Sequence, residues 1–157
     1  MISVDKSGDD GVFHLDGVID DTFPTSELLS YEELKLDLRK IIVVTSIGVR
    51  EFAKFMQLWG GRNIEFHQAS PAMVDAFNTF SIMLGQPAQP ERVKSIITDA
   101  WCKVCKLDIL IRIRTVNVKY STLLHFHPRT DCKTCGLALT LREDPKDLFC
   151  FLIGGPP

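Results

Sequence analysis

Four of the five cysteines of this chain form two identical pairs, Cys102-x2-Cys105 and Cys132-x2-Cys135-Gly136, with 26 residues between them. A CxxC turn brings two thiolates close enough to share one ion, and two such turns close the four-sulfur tetrahedral shell that structural zinc prefers. The spacing therefore predicts one structural Zn2+ per chain, with Cys102, Cys105, Cys132 and Cys135 as ligands. Four thiolates leave no position for water, so the metal is not expected to catalyse. The gap is a little long for a ribbon but can hold a β-hairpin, and Gly136 suits the backbone twist of a knuckle. A redox dithiol or an iron–sulfur centre are the competing readings. A redox CxxC normally opens a helix after a strand, whereas strand-like sequence follows both pairs here. His125 and His127 could stand in for a cysteine, but beside Pro128 they read as exposed residues near a turn. Cys150, in LFCFL, reads as a small core residue.

Five cysteines without a secretory signal argue for metal or free thiols rather than disulfides. The opening MISVDKSGDDG has neither an apolar core nor a basic flank, which is unlike a signal peptide, and no run approaches the 18 apolar residues of a membrane span. A cytoplasmic protein is expected. The net charge of -2 conceals an asymmetry: residues 1–90 carry 7 Lys and Arg against 13 Asp and Glu, while residues 91–157 carry 11 against 7. The acidic front part is a poor surface for nucleic acid, and the back part is only weakly basic once four metal-bound thiolates are counted.

Along the chain, Ile2–Lys6 and Val12–Asp16 read as short strands around a Gly-Asp-Asp-Gly turn. Thr25 or Ser26 could cap a brief helix through Glu27–Glu33. Leu34–Val44 alternates and then runs apolar, as a largely buried strand does. In SIGVREFAKFMQLWGG the period changes: Phe52, Phe55, Met56 and Trp59 share a helical face, with Arg50 and Lys54 on the other side. Thr45 or Ser46 can cap this helix, a cap being favoured over a regulatory role for the Ser46 hydroxyl, and Gly60-Gly61 ends it. Asn63–Gln68 is a strand, and Ser70-Pro71 opens another helix with Met73, Val74 and Phe77 inward. Gly85–Pro90 reads as a linker. Beyond it lie strands at Val93–Thr98, Leu107–Lys119 and Leu137–Arg142 and an apolar tail, Leu148–Ile153. The apolar parity of the long strand flips after Ile113, which suggests a bulge or tight bend near Arg114-Thr115. The expected class is α/β, a mixed sheet with helices over residues 1–88, followed by a small β-rich four-cysteine module over 91–157.

The segment LDLRKIIVVTSIGVREFAKFMQLWGGRNIEFHQASPAMVDAF resembles the STAS domain of sulfate-transporter tails and anti-sigma-factor antagonists. The matching landmarks are the strand Leu36–Val44, the turn Thr45–Gly48, the Gly60-Gly61 turn, the strand Asn63–His67 and the Ser70-Pro71 cap. The resemblance covers roughly residues 1–85, and some STAS-like proteins carry a zinc-ribbon tail. It implies a non-enzymatic protein-interaction module in a bacterial signalling or regulatory pathway, with an anti-sigma or kinase-like protein as partner. It places the partner surface at Thr45, Ser46, Ile47, Gly48 and Arg50. The serine that antagonists phosphorylate, directly before the glycine, is Ile47 here, and the family aspartate is Thr45.

Two other functions bear weighing. Arg112 and Arg114 share a strand face, and Lys103 and Lys106 flank a knuckle, which would suit nucleic-acid binding. No aromatic residues interleave them for base stacking, so a solvated face is the better reading. For an enzyme, no nucleophile–base pair, glycine-rich phosphate loop or paired carboxylates stand out. Asp20-Asp21 reads as a loop, and His14 and His67 show no partner in the sequence.

Overall fold

The computed structural model describes residues 2–7, 11–118, 126, 128 and 130–153. Its centre is β3 (Leu34–Val44), where the alternation sends Leu34, Leu36 and Leu38 into the core. Strand β2 (Val12–Ile19) lies parallel to it on one side, with β1 (Ile2–Ser7) antiparallel beyond; β4 (Ile64–His67) lies parallel on the other, giving the order β1-β2-β3-β4. β2 runs three residues beyond its expected end because Gly17, Val18 and Ile19 find partners in Ile41, Val43 and Val44. A long neighbouring strand extends it in a way its own composition does not.

The helices cover one face of this sheet. α1 is shorter than expected, Thr25–Leu28, with no side-chain cap; the Ser30 hydroxyl donates to the Glu27 carbonyl just past its end, and Leu28 is fully buried. α2 (Ser46–Trp59) buries Phe52, Phe55, Met56 and Trp59, as its period demands, and leaves Lys54 outside, paired with Glu51 at 2.8 Å. Its cap is Thr45, one of the two expected candidates, whose hydroxyl accepts from the Gly48 N–H at 3.0 Å; Ser46 already lies inside the helix, so the cap role expected for its hydroxyl is corrected. Gly60, with φ +65°, closes the helix. α3 (Pro71–Thr79) starts as the sequence indicates, with the Ser70 hydroxyl accepting from Met73 N–H.

The stretch expected as a linker leaves Gln86, Pro87 and Ala88 exposed, but both of its ends are anchored. Two short 3-10 turns, Ser81–Leu84 and Pro90–Arg92, flank it, and the buried Arg92 guanidinium donates to the carbonyls of Gly60 (3.1 Å) and Leu84 (3.5 Å). Buried carbonyls at a helix end need such donors.

A second sheet follows, β6 (Leu107–Arg114), β5 (Ser95–Cys102) and β7 (Thr140–Leu141), all antiparallel. The division drawn between residues 88 and 91 is crossed here by backbone hydrogen bonds. Lys94 N–H donates to Phe66 O, Ala69 N–H to Ser95 O, and Ile97 N–H to Ala69 O, all at 2.8–2.9 Å. β5 thus begins as a parallel neighbour of the β4 segment and ends in the second sheet. The parity flip after Ile113 marks the end of β6 at Arg114 and a 3-10 turn at Thr115–Asn117, the tight bend of the two expected alternatives rather than the bulge. The expected strand at 137–142 reduces to β7 and one bridge between Ala138 and Asp131. The apolar tail is helical: α4 (Pro145–Leu148), capped by Asp144, and a 3-10 turn over Cys150–Ile153. It inserts Phe151 against Phe77 of α3, ring centroids 6.1 Å apart, while Asn78 clamps it by donating to Asp147 O and accepting from Phe151 N–H. No helix among the described residues is long and apolar enough to cross a membrane.

Candidate metal centre

Cys102 is the last residue of β5, and Cys105 sits in the tight turn to β6. Within that turn Lys106 N–H donates to Cys102 O (2.9 Å) and Cys105 N–H points at Cys102 Sγ (3.4 Å). The second knuckle repeats the plan: Gly136 N–H donates to Cys132 O, and Cys132 N–H to Leu137 O, both at 2.8 Å. The residue after each pair takes positive φ, +57° at Lys106 and +72° at Gly136. Glycine adopts this region without penalty, whereas lysine does so at a cost.

The two knuckles face one another. Cys102 Sγ lies 3.5 Å from Cys135 Sγ and Cys132 Sγ 3.8 Å from Cys105 Sγ, and all four sulfurs fall within 4.8 Å of one another. A regular tetrahedron with metal–sulfur bonds of about 2.3 Å has sulfur–sulfur edges of about 3.8 Å, so the cluster has the dimensions of a four-coordinate site. Cys102 and Cys132 are buried and Cys135 is exposed.

The electrostatics are those of four closely coupled thiols. N–H groups of Cys135 and Thr134 aimed at the Cys132 sulfur lower its thiol to about 6. Hydrogen bonding to the Cys135 sulfur, with desolvation and the sulfurs of Cys102 and Cys132, pushes Cys105 up to about 12. Cys135 is raised too: the Leu137 N–H pulls it down, but the Cys102 sulfur and desolvation outweigh that. Thiolates this close repel, and only a bound cation lets all four ionise together. The geometry and the donor set fit a metal ion held by Cys102, Cys105, Cys132 and Cys135. His125 and His127 lie outside the described residues, as does the return strand of the expected hairpin in the gap. Cys150 is half-buried in the C-terminal 3-10 turn.

The turn Thr45–Gly48 lies at the far end of β3. Thr45 N–H and Oγ1–H both donate to Ile19 O, at 2.9 and 3.2 Å, and a Cβ on Gly48 would stand 2.0 Å from that same oxygen. The start of α2 is thereby pinned to the end of β2. Ile47 is 48% exposed, and Ile42 (68%) and Val43 (47%) are exposed near the end of β3. Ser46 and Arg50 border a groove of about 620 Å³ between α2 and the 82–92 segment.

A polar row on the uncovered face of the sheet is absent from the sequence reading. Parallel pairing aligns His14, Asp37 and His67 on adjacent strands. The buried Asp37 accepts from Arg39 Nη2 (2.9 Å) and Gln68 Nε2 (3.0 Å) and meets His14 Nδ1 at 3.2 Å, while His67 Nε2 meets Glu65 at 3.0 Å. Burial of the carboxylate is tolerated because these donors replace its water. The period-2 pattern hinted that these residues share a face, but only the register could pair them. Asp20 caps its own loop by accepting from Thr22 N–H and hydroxyl, which holds its carboxyl below the usual range.

No known protein family matches the chain, and no curated protein or solved structure matches it either.

Proposed function

We propose that this chain is a STAS-like protein-interaction module of a cytoplasmic signalling or regulatory circuit, non-enzymatic, with a structural zinc ion in a ribbon-like C-terminal part. The observation that carries the reading is Ile47, 48% exposed on a turn held in place by Gly48 and Thr45. Apolar side chains offered on a pinned turn suit a docking surface, since little ordering is needed when a partner binds. The sheet order, the capped helix after the long central strand and the Ser-Pro start of α3 support the STAS likeness. Zinc is supported by four thiolate donors at tetrahedral spacing with no place for a substrate. The partner we infer is a regulatory protein of the anti-sigma or kinase-like kind, contacting Thr45, Ser46, Ile47 and Arg50, while Gly48, expected in the same surface, is buried against β2 and holds the turn in place.

The test is Ile47→Asp. Affinity capture from a lysate of the source cells supplies the partner, and calorimetry compares the two proteins. Loss of a buried isoleucine contact should weaken binding by about 1–3 kcal/mol. The melt should hold, because an aspartate in the first helical turn is itself favourable by about 0.3–1 kcal/mol. Unchanged affinity would place the partner on another surface, and a melt lowered by many degrees would make Ile47 part of the core.

A further inference from the structure

Where β5 leaves the first sheet, a cleft of about 630 Å³ is lined by both cationic and apolar side chains. Three of the lining residues are cations. Arg112 and Arg114, two apart on β6, point to the same face, and Lys94 approaches from the start of β5. Arg112 is fixed in place: its Nε donates at 3.2 Å to the hydroxyl of Ser95, which is wholly buried and also accepts from Gln68 N–H. That bond uses one nitrogen of the guanidinium and leaves both terminal nitrogens without a partner among the described residues. Arg114 has no ion-pair or hydrogen-bond partner among them, and Lys94 reaches only Glu65, at 3.8 Å. Val116, Val118 and Leu152 give the same lining its apolar part. Glu91 is the one acid in the lining, so the three cations dominate.

We infer that this cleft binds a small amphipathic organic anion, its carboxylate or phosphate head on Arg112, Arg114 and Lys94 and its aliphatic body on Val116, Val118 and Leu152. A positioned guanidinium fork with free terminal nitrogens is the preferred receptor for a planar or tetrahedral oxyanion. The volume lies in the range of small-ligand sites, roughly 300–1,000 Å³. A nucleotide is the poorer fit, since apart from His67 no aromatic ring lines the cleft to stack on a base.

The probes are octyl phosphate, octanoate and inorganic phosphate, titrated into the metal-loaded full chain and followed by backbone amide shifts. Octyl phosphate and octanoate should bind saturably, with shifts concentrated at residues 93–96 and 112–116, and both should bind at least about tenfold more tightly than inorganic phosphate. The double substitution Arg112→Ala and Arg114→Ala should weaken both by about tenfold or more. Lys35→Ala, an exposed cation elsewhere on the sheet, should change neither. Octyl phosphate binding while octanoate does not would narrow the head group to phosphate, and the reverse to carboxylate; either keeps the site. Inorganic phosphate binding as tightly as octyl phosphate would overturn the apolar half. Binding indifferent to the arginine pair in a variant with an unchanged spectrum elsewhere, or no saturable shift, would overturn the proposal.

Discussion

Replacing Gly48 with alanine tests the joint on which the proposed docking turn depends. The added Cβ would lie 2.0 Å from Ile19 O and 2.5 Å from its carbonyl carbon. Both are backbone atoms of β2, so no side-chain rotation can relieve the clash. Relief requires the start of α2 to move away by roughly 1.5 Å to reach ordinary contact distance. That movement stretches both bonds from Thr45 to Ile19 O, at 2.9 and 3.2 Å. Two hydrogen bonds at about 1 kcal/mol each, with overpacking strain of about 1–3 kcal/mol, make a cost of roughly 3–5 kcal/mol. Alanine regains about 1 kcal/mol through its better helix propensity, leaving about 2–4 kcal/mol. For a chain of this size that lowers the melting temperature by roughly 4–16 °C. The assay is chemical denaturation of the metal-loaded protein, read as a midpoint shift at unchanged slope, alongside a thermal melt. Gly61→Ala is the control, since nothing lies within 4 Å of its Cβ position and its φ is not positive; it should be neutral or stabilising by up to about 1 kcal/mol. If Gly48→Ala cost no more than Gly61→Ala, the pinned turn would not exist.

Three further outcomes follow from the geometry. Protein purified without added metal should carry close to one equivalent of zinc, and a structural site of this kind contributes about 10–16 kcal/mol of apparent binding energy. Chelation, or Cys132→Ser, should speed hydrogen exchange at 100–102 and 131–141, while amides 94 and 97, bonded to Phe66 and Ala69, stay protected with β3; acceleration throughout β3 would show a single cooperative unit. Lys106→Gly should stabilise the first knuckle by about 1 kcal/mol, because lysine there holds φ +57°, and an unchanged or lower melt would contradict the turn geometry. Asp108 is held below the ordinary carboxylate value, chiefly by the hydrogen bond from Arg142. A carboxyl lowered in the folded state stabilises above its unfolded pKa and loses that contribution as the pH falls through the folded value. Its titration by NMR should therefore have a midpoint below the usual range that returns upward in Arg142→Gln, whereas identical midpoints would show that the pair does not form.

Local patterns in the sequence were enough to place β3, α2 and α3, with the Ser70 cap, the buried stripe Phe52, Phe55, Met56 and Trp59, and the four cysteines as one ligand set. Each depends on contacts within a few residues or on a donor type that has few other uses. What lay beyond was decided by partners distant in the chain. β2 reaches Ile19 because β3 is there to pair with it, and Thr45 rather than Ser46 caps α2 because Ile19 O fixes the turn. Composition marked 85–90 as a linker, and residues 86–88 are indeed exposed, yet Arg92 finds the carbonyls of Gly60 and Leu84 and ties the far end of that stretch to the end of α2. Leu148–Ile153 is apolar enough for a strand, but its last ring is taken up by Phe77 and its backbone by Asn78, so it coils. The row of His14, Asp37 and His67 and the pairing of Arg112 with Ser95 arise from register between strands up to several tens of residues apart. A one-residue slip would dissolve both without altering any local pattern, because register fixes which side chains meet while periodicity fixes only which face they share.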